Sequence, residues 1–240
     1  MKGRFLAKSK EDRVVRNIYA NKSALILDWL LREGNTKKWF SLREAAKDIG
    51  VSIGLVQRVF GILLLKGVLR TEGIRTAKRF SFQKPTLLLK NWLEHYSITK
   101  KCKIRSYRSA FQGKAELLEA LKKSKLSSKV VLALHSAAEV HGCKNTNLNT
   151  LELYVLDPTV WAKLEEILEL EPQERGYEVL LIEPYYKSLL NIDFGLGKGL
   201  RTSSALLTFL DLYHFPLRGL EQAEFMAQRD PELKRIYKNG

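Results

Sequence analysis

Residues 41–82 read SLREAAKDIGVSIGLVQRVFGILLLKGVLRTEGIRTAKRFSF, and the turn formers and caps in this stretch divide it into elements. Ser41-Leu42-Arg43-Glu44 has the form of a capping box, in which the serine oxygen accepts from the Glu44 N–H while the glutamate reaches back. A short helix to Ile49 follows. Gly50-Val51 makes a tight turn, and Ser52 stands where it can cap a second helix running to about Lys66. Gly67 ends that helix. Val68–Thr71 reads as a strand, Glu72-Gly73-Ile74-Arg75 as a turn, and Lys78–Phe82 as a second strand with alternating apolar residues. Upstream, Val14, Val15, Ile18, Ile26, Leu27, Leu30 and Leu31 repeat at helical spacing up to Gly34 and Asn35. Helix, helix, turn, helix and β-hairpin is the order of a winged helix-turn-helix, expected over residues 1–84.

Charge points the same way. The chain of 240 residues has a formal net charge of +15. Residues 1–90 hold 20 Lys/Arg against 7 Asp/Glu, residues 91–150 hold 11 against 4, and residues 151–240 hold 10 against 15. A basic front on a mildly acidic rear implies a polyanion-binding part joined to something else. The two cysteines, Cys102 and Cys143, form no CxxC and imply no disulfide framework, as in a reducing cytoplasm. The basic N-terminus (Lys2, Arg4, Lys8, Lys10) is followed by no apolar segment of the signal-peptide kind. No apolar run approaches the roughly 20 residues that span a bilayer. The expected location is cytoplasmic, with no membrane partner.

In a winged helix the second helix of the turn motif enters the major groove, where base edges carry a distinguishable code. Val51, Val56, Val59 and Leu63 share one face of Ser52–Lys66 and are expected to pack inward. The opposite face offers Ile53, Gly54, Gln57 and Arg58: glutamine suits adenine, arginine suits guanine, Ile53 suits a thymine methyl and Gly54 permits close approach. Ser52 and Arg43 are expected on phosphates, and Arg75, Lys78 and Arg79 on the wing track the backbone or a minor groove. The alternative is a protein-docking module, because Ile53, Leu55, Ile62 and Leu65 make this helix apolar for a DNA reader.

Residues 85–124 are expected to be a helical and basic connector, and residues 125–240 a mixed α/β domain, giving an α+β fold class overall. Pro85 opens a helix through Trp92 and Tyr96, and Ser97–Arg108 is basic and open to either a linker or a domain join. Lys100, Lys101, Lys103, Arg105 and Arg108, interleaved with aromatics, are candidate additional nucleic-acid contacts. Helical signals resume at Lys114–Lys123 and in the Ala-rich half of Val130–Val140. Strands are expected at Leu151–Leu156 and Val179–Ile182, with Asp157-Pro158 starting a helix between them. Gly195, Gly197 and Gly199 space out a loop, and helices are expected at Ser203–Tyr213 and Gly219–Gln228.

The C-terminal run Leu207-Thr208-Phe209-Leu210-Asp211-Leu212 and Phe215-Pro216-Leu217-Arg218-Gly219-Leu220-Glu221-Gln222-Ala223-Glu224 resembles the AbiEi-type antitoxins of type IV toxin–antitoxin systems. The likeness extends back through Leu151–Pro158, Glu174–Val179, Pro184-Tyr185 and Phe80–Tyr96. It implies a winged-helix repressor joined to a domain that antagonises a nucleotidyltransferase toxin without a stable complex, with autorepression of the operon through inverted repeats. Asp211, Arg218, Glu221 and Glu224 are then a candidate partner surface. The cheaper reading of the same residues is a structural ion-pair cluster.

Ser136-Ala137-Ala138 followed by Thr150–Val155 is also similar to the nucleotidyltransferase pattern of a small-residue helix and a strand bearing two carboxylates two residues apart. Here those positions hold Glu152 and Tyr154, and one carboxylate cannot build a two-metal clamp. The expectation is a degenerate relative with no catalytic residues, no metal and no cofactor; an active nucleotidyltransferase is the remaining alternative. His95, His135, His141 and His214 show no metal-ligand spacing, and Ser203 and Ser204 read as helix caps.

Overall fold

A computed structural model describes residues 18–190, 196–197 and 200–237. Val14 and Val15 of the first expected helix, and Gly195 and Gly199 of the glycine loop, lie outside the described residues. The protein is mixed α and β and divides into two compact units, residues 1–96 with 235–240 and residues 97–234. Of the residues 85–124 expected as a connector, 85–96 fall in the first unit and 97–124 in the second.

The first unit runs α1 (Asn21–Arg32), α2 (Leu42–Ile49), α3 (Ile53–Leu65), β1 (Leu69–Glu72), β2 (Arg79–Phe82) and α4 (Pro85–His95). The capping box forms as expected, with the Glu44 N–H donating to Ser41 Oγ at 3.1 Å and the Ser41 N–H to Glu44 Oε2 at 3.3 Å. The Leu55 N–H donates to Ser52 Oγ at 3.3 Å, so α3 starts on its own cap after a turn that bends the α2–α3 pair by 119°. Val56, Val59, Phe60 and Leu63 turn α3 inward. An aromatic chain binds the helices to the hairpin: Trp29–Phe40, Phe40–Phe60 and Phe60–Phe80 ring centroids lie 5.1, 5.7 and 5.1 Å apart. Burying each Phe contributes about 2–3 kcal/mol. β1 and β2 pair antiparallel from Leu69↔Phe82 to Glu72↔Arg79, and Phe40 exchanges two backbone hydrogen bonds with Phe80. α4 is seated by Leu88, Leu89, Trp92 and Leu93, all buried.

The second unit contains α5 (Ile98–Lys101), β3 (Lys103–Ser109), α6 (Lys114–Lys123), β4 (Val130–Leu132), α7 (Leu134–Val140), β5 (Leu151–Val155), α8 (Trp161–Ile167), β6 (Leu170–Pro172) and β7 (Val179–Glu183). α9 (Lys187–Leu190), a short β8–β9 pair (Leu196–Gly197, Leu200–Arg201), α10 (Ala205–Tyr213) and α11 (Gly219–Arg229) follow, and then α12 (Pro231–Ile236), whose last two residues are grouped with the first unit. Five strands form one sheet in the order β4-β5-β7-β3-β6, in which only β5 and β7 run parallel. Alternation along the strands sorts side chains to two faces. Leu151, Leu153, Val155, Val179, Leu181 and Tyr107 form a core with Leu117 and Leu121 of α6 and Trp161 and Leu164 of α8. Glu152 and Tyr154 point to the other face.

Ser97–Arg108 is thus no linker, since it supplies β3 in the interior of the sheet. Its basic side chains are accommodated from far along the chain. Arg105 lies over the Trp161 ring at 4.9 Å and bonds Glu165 at 3.4 Å, and Arg108 pairs with Glu171.

Candidate nucleic-acid interface

In the first unit, the start of α2, the start of α3 and the hairpin enclose a cleft of about 370 Å³ lined by Ser41, Leu42, Arg43, Ile53, Arg75 and Lys78. Four of the nine residues expected to meet DNA therefore converge on one concave surface. Its charge is uncompensated. Glu44 and Asp48, the acidic residues of α2, both hold Lys37, at 2.6 and 3.3 Å, and the Glu44 hydrogen bond foremost raises the pKa of that ammonium. Among the described residues no carboxylate forms an ion pair with Arg43, Arg58, Arg75 or Lys78. Three cations around a cleft without a counter-charge form a site of positive potential that an anion can fill.

The remaining expected residues of α3 are placed beside this cleft. Gly54, Gln57 and Arg58 are exposed along one stripe of the helix, and an added Cβ at Gly54 or Gly61 would meet open space. Ser52 is exposed but its hydroxyl is engaged as the helix cap. Arg79 is exposed outside the cleft and lies 5.8 Å from the centroid of the Trp39 ring, which Arg70 also approaches at 5.3 Å. Lys78, which follows the 3₁₀ turn, faces the cleft, whereas Arg79, the first residue of β2, faces Trp39. Sequence reading missed Ser41 and Leu42 as cleft residues because the capping box already accounted for them. It also missed the Trp39–Arg70–Arg79 stack, which is made across the hairpin.

The basic residues of the second unit behave differently. Arg105 and Arg108 are paired with Glu165 and Glu171, and Lys101 lies 5.5 Å from the Tyr185 ring centroid; Lys100 and Lys103 are exposed. The five do not form an uncompensated patch like that of the first unit.

The C-terminal motif also requires a correction. Asp211 is 0% exposed and accepts from Tyr154 OH at 2.6 Å, so it contributes nothing to a surface and is no neighbour in an ion-pair cluster with Arg218. Arg218 pairs with Glu221 on the outside, where the mutual hydrogen bond raises the arginine pKa and lowers that of the glutamate, and Glu224 is half-buried. Much of the motif is packing. A Cβ on Gly219 would overlap the Leu212 carbonyl oxygen, so only glycine lets α11 follow α10 this closely. Gln222, buried, donates to the Cys143 carbonyl and accepts from the Asn145 N–H at 3.0 Å.

The face of the sheet bearing Glu152 is a closed polar network. Glu152 is 0% exposed and accepts from the Ser136 N–H at 2.9 Å, from the hydroxyls of Ser136 and Thr150, each at 2.5 Å, and from Tyr177 OH at 3.2 Å. Four donors occupy both carboxylate oxygens. Burial, and then the Glu152 charge, push the Tyr177 phenol far above its ordinary pKa, so it stays a donor. His135 sits at the start of α7 with Nε2 3.2 Å from the Leu217 carbonyl, and burial lowers its pKa, outweighing the nearby Glu152 charge. Tyr154 stands two residues along β5 on the same face and is bound to Asp211. Among the described residues no three His, Cys, Asp or Glu side chains stand together as a metal site, and no single helix is long and apolar enough to cross a membrane.

No model of a protein family matches the chain, and neither a curated protein nor a solved structure matches it.

Proposed function

We propose that this protein is a sequence-specific, duplex-DNA-binding regulator whose first unit is a winged helix-turn-helix. The observation that carries the reading is the cleft in which Arg43, Arg75 and Lys78 meet without a counter-charge, beside the exposed Gln57 and Arg58 of α3. On this reading α3 lies in the major groove. Arg58 and Gln57 make bidentate contacts to base edges, each worth about 1–3 kcal/mol of discrimination, while the cleft cations hold phosphates and fix the register. The open space over Gly54 and Gly61 lets α3 approach the groove floor.

The second unit is read as non-catalytic and as a degenerate relative of the nucleotidyltransferases. What supports this is that the single carboxylate of the would-be metal-binding pair, Glu152, is fully engaged by protein donors and its partner position holds Tyr154. The C-terminal motif supports the narrower proposal of an antitoxin and autorepressor of a type IV toxin–antitoxin operon, acting in the cytoplasm on inverted repeats and against a nucleotidyltransferase-type toxin.

The test is a titration against the duplex upstream of the protein's own coding sequence, with random duplex as competitor, at two salt concentrations. Tight, competitor-resistant binding that weakens steeply with salt is the expected result, because displaced counterions set the slope. Leu65 at the end of α3 is 90% exposed and Ile53 46% exposed, which favours the second reading, a protein-docking module. Absence of salt-dependent binding at low salt would decide for that module.

A further inference from the structure

We infer that Ile74, at the tip of the hairpin, is an apolar wedge for the minor groove of the duplex, an inference that rests on the DNA-binding reading above. Turn residues of a hairpin are ordinarily polar or glycine. Ile74 instead presents a β-branched apolar side chain that is 78% exposed.

The tip that carries it is pre-ordered. Gly73 has φ 79°, and a Cβ there would stand 2.5 Å from the Ala77 carbonyl oxygen. Arg75 is a non-glycine residue at φ 51°, a conformation that persists where the surroundings impose it. A single 3₁₀ turn over Arg75–Ala77 closes the loop, with the Ala77 N–H donating to the Ile74 carbonyl at 3.1 Å and the Lys78 N–H to the Arg75 carbonyl at 3.3 Å. Thr71 Oγ1 donates across the hairpin to the Arg79 carbonyl at 3.0 Å. Little conformational freedom is left for binding to remove.

The cleft states which groove the tip meets. A strand of phosphates is the wall between a major and a minor groove. The lining cations Arg43, Arg75 and Lys78 suit that wall, and the cleft they line is bounded by Ile53 at the start of α3 and by Arg75, next to Ile74, in the hairpin. If α3 is in the major groove, Ile74 falls in the adjacent minor groove, with Arg75 holding the phosphates beside it. Isoleucine has no donor or acceptor with which to read a base edge. It can fill a narrow A·T groove by contact and can open a flexible pyrimidine–purine step, as apolar wedges do.

The experiment is selection from a duplex pool with a randomised segment of about 30 base pairs, the size of two half-sites with flanks, run with the full chain, Ile74→Ser and Ile74→Leu. The wild type is expected to enrich a core sequence and, at a fixed distance from it, an A·T-rich segment with a TpA step. Ile74→Ser should enrich the same core without the flank and bind the selected duplex about tenfold more weakly. Ile74→Leu should keep the flank, and all three should share one unfolding midpoint, because the side chain takes no part in the core. The same flank and affinity in Ile74→Ser would overturn the wedge while leaving the DNA reading intact. A wild-type pool that enriches no core would overturn the DNA reading and the wedge with it.

Discussion

The two units use polar side chains in opposite ways. Around the cleft of the first unit, Arg43, Arg75 and Lys78 stand exposed beside each other, and among the described residues no carboxylate pairs with them. On the inner face of the second unit, Glu152, Tyr154 and Asp211 are buried and each is bound to protein donors or acceptors. A charge left uncompensated at a surface is available to a partner. A charge buried among donors is committed to the fold, because removing one side leaves the other desolvated and unpaired. On the proposed reading, binding belongs to the first unit, while this face of the second serves the fold.

The largest effect that bears on this contrast is expected from Glu152→Ala. It would strand the Ser136 N–H and the hydroxyls of Thr150 and Tyr177, and should destabilise the protein by roughly 3–4 kcal/mol in denaturant unfolding. Unchanged stability with lost binding of nucleotide and Mg²⁺ would break the comparison and restore an active nucleotidyltransferase. Next comes Arg58→Ala, expected to weaken the specific duplex by about tenfold to a hundredfold with little change on random duplex. Equal losses on both would remove α3 from the role of base reader.

Lys78→Ala should weaken all sequences alike and lower the slope of log affinity against log salt by about one. Arg79→Ala should change that slope less, since Arg79 lies against Trp39 outside the cleft; equal slopes for the two variants would mean that the cleft does not hold the phosphates. A pH effect follows from His135. Its folded pKa lies below the ordinary 6.5, burial being the main cause, so below that pH the unfolded chain takes up a proton that the folded chain refuses. Stability is fully present above about pH 7 and declines as pH falls through the ordinary histidine range toward the lowered folded-state value. Equilibrium unfolding across that window should show the decline, and His135→Gln should flatten it. The smallest effect is expected from Arg218→Ala, which removes an exposed pair with Glu221 and should leave the unfolding midpoint where it was. A clear drop would show that this pair, too, is part of the closed structure.

Legibility in the sequence followed the range of the interactions. The helix starts at Ser41 and Ser52 were readable because a capping side chain acts on N–H groups two or three residues away. The strand at Leu151 was readable from its alternation and that at Val179 as a short apolar run. The strand Lys103–Ser109 was not, because a run of Lys-x-Lys-x-Arg resembles a solvated linker until Trp161, Glu165 and Glu171 are in place. Those partners lie about 60 residues further on, with separations of 60 and 63 for the two ion pairs. The grouping of Arg43, Ile53, Arg75 and Lys78 around one cleft was not legible, since Arg75, Lys78 and Arg79 are alike in sequence and only the folded hairpin puts Lys78 at the cleft and Arg79 against Trp39.

Local chemistry alone thus determined the helix, turn, helix and hairpin order of residues 41–82, the basic character of the first unit, and the single carboxylate left at positions 152 and 154. Tertiary structure alone decided that Asp211 is an interior acceptor for Tyr154 and that Arg105 and Arg108 are paired. It also decided that Arg43, Ile53, Arg75 and Lys78 share one cleft. The physical reason is range: caps, turns and periodicity act within a few residues, whereas compensation of a charge depends on which distant side chain folding brings within about 4 Å of it.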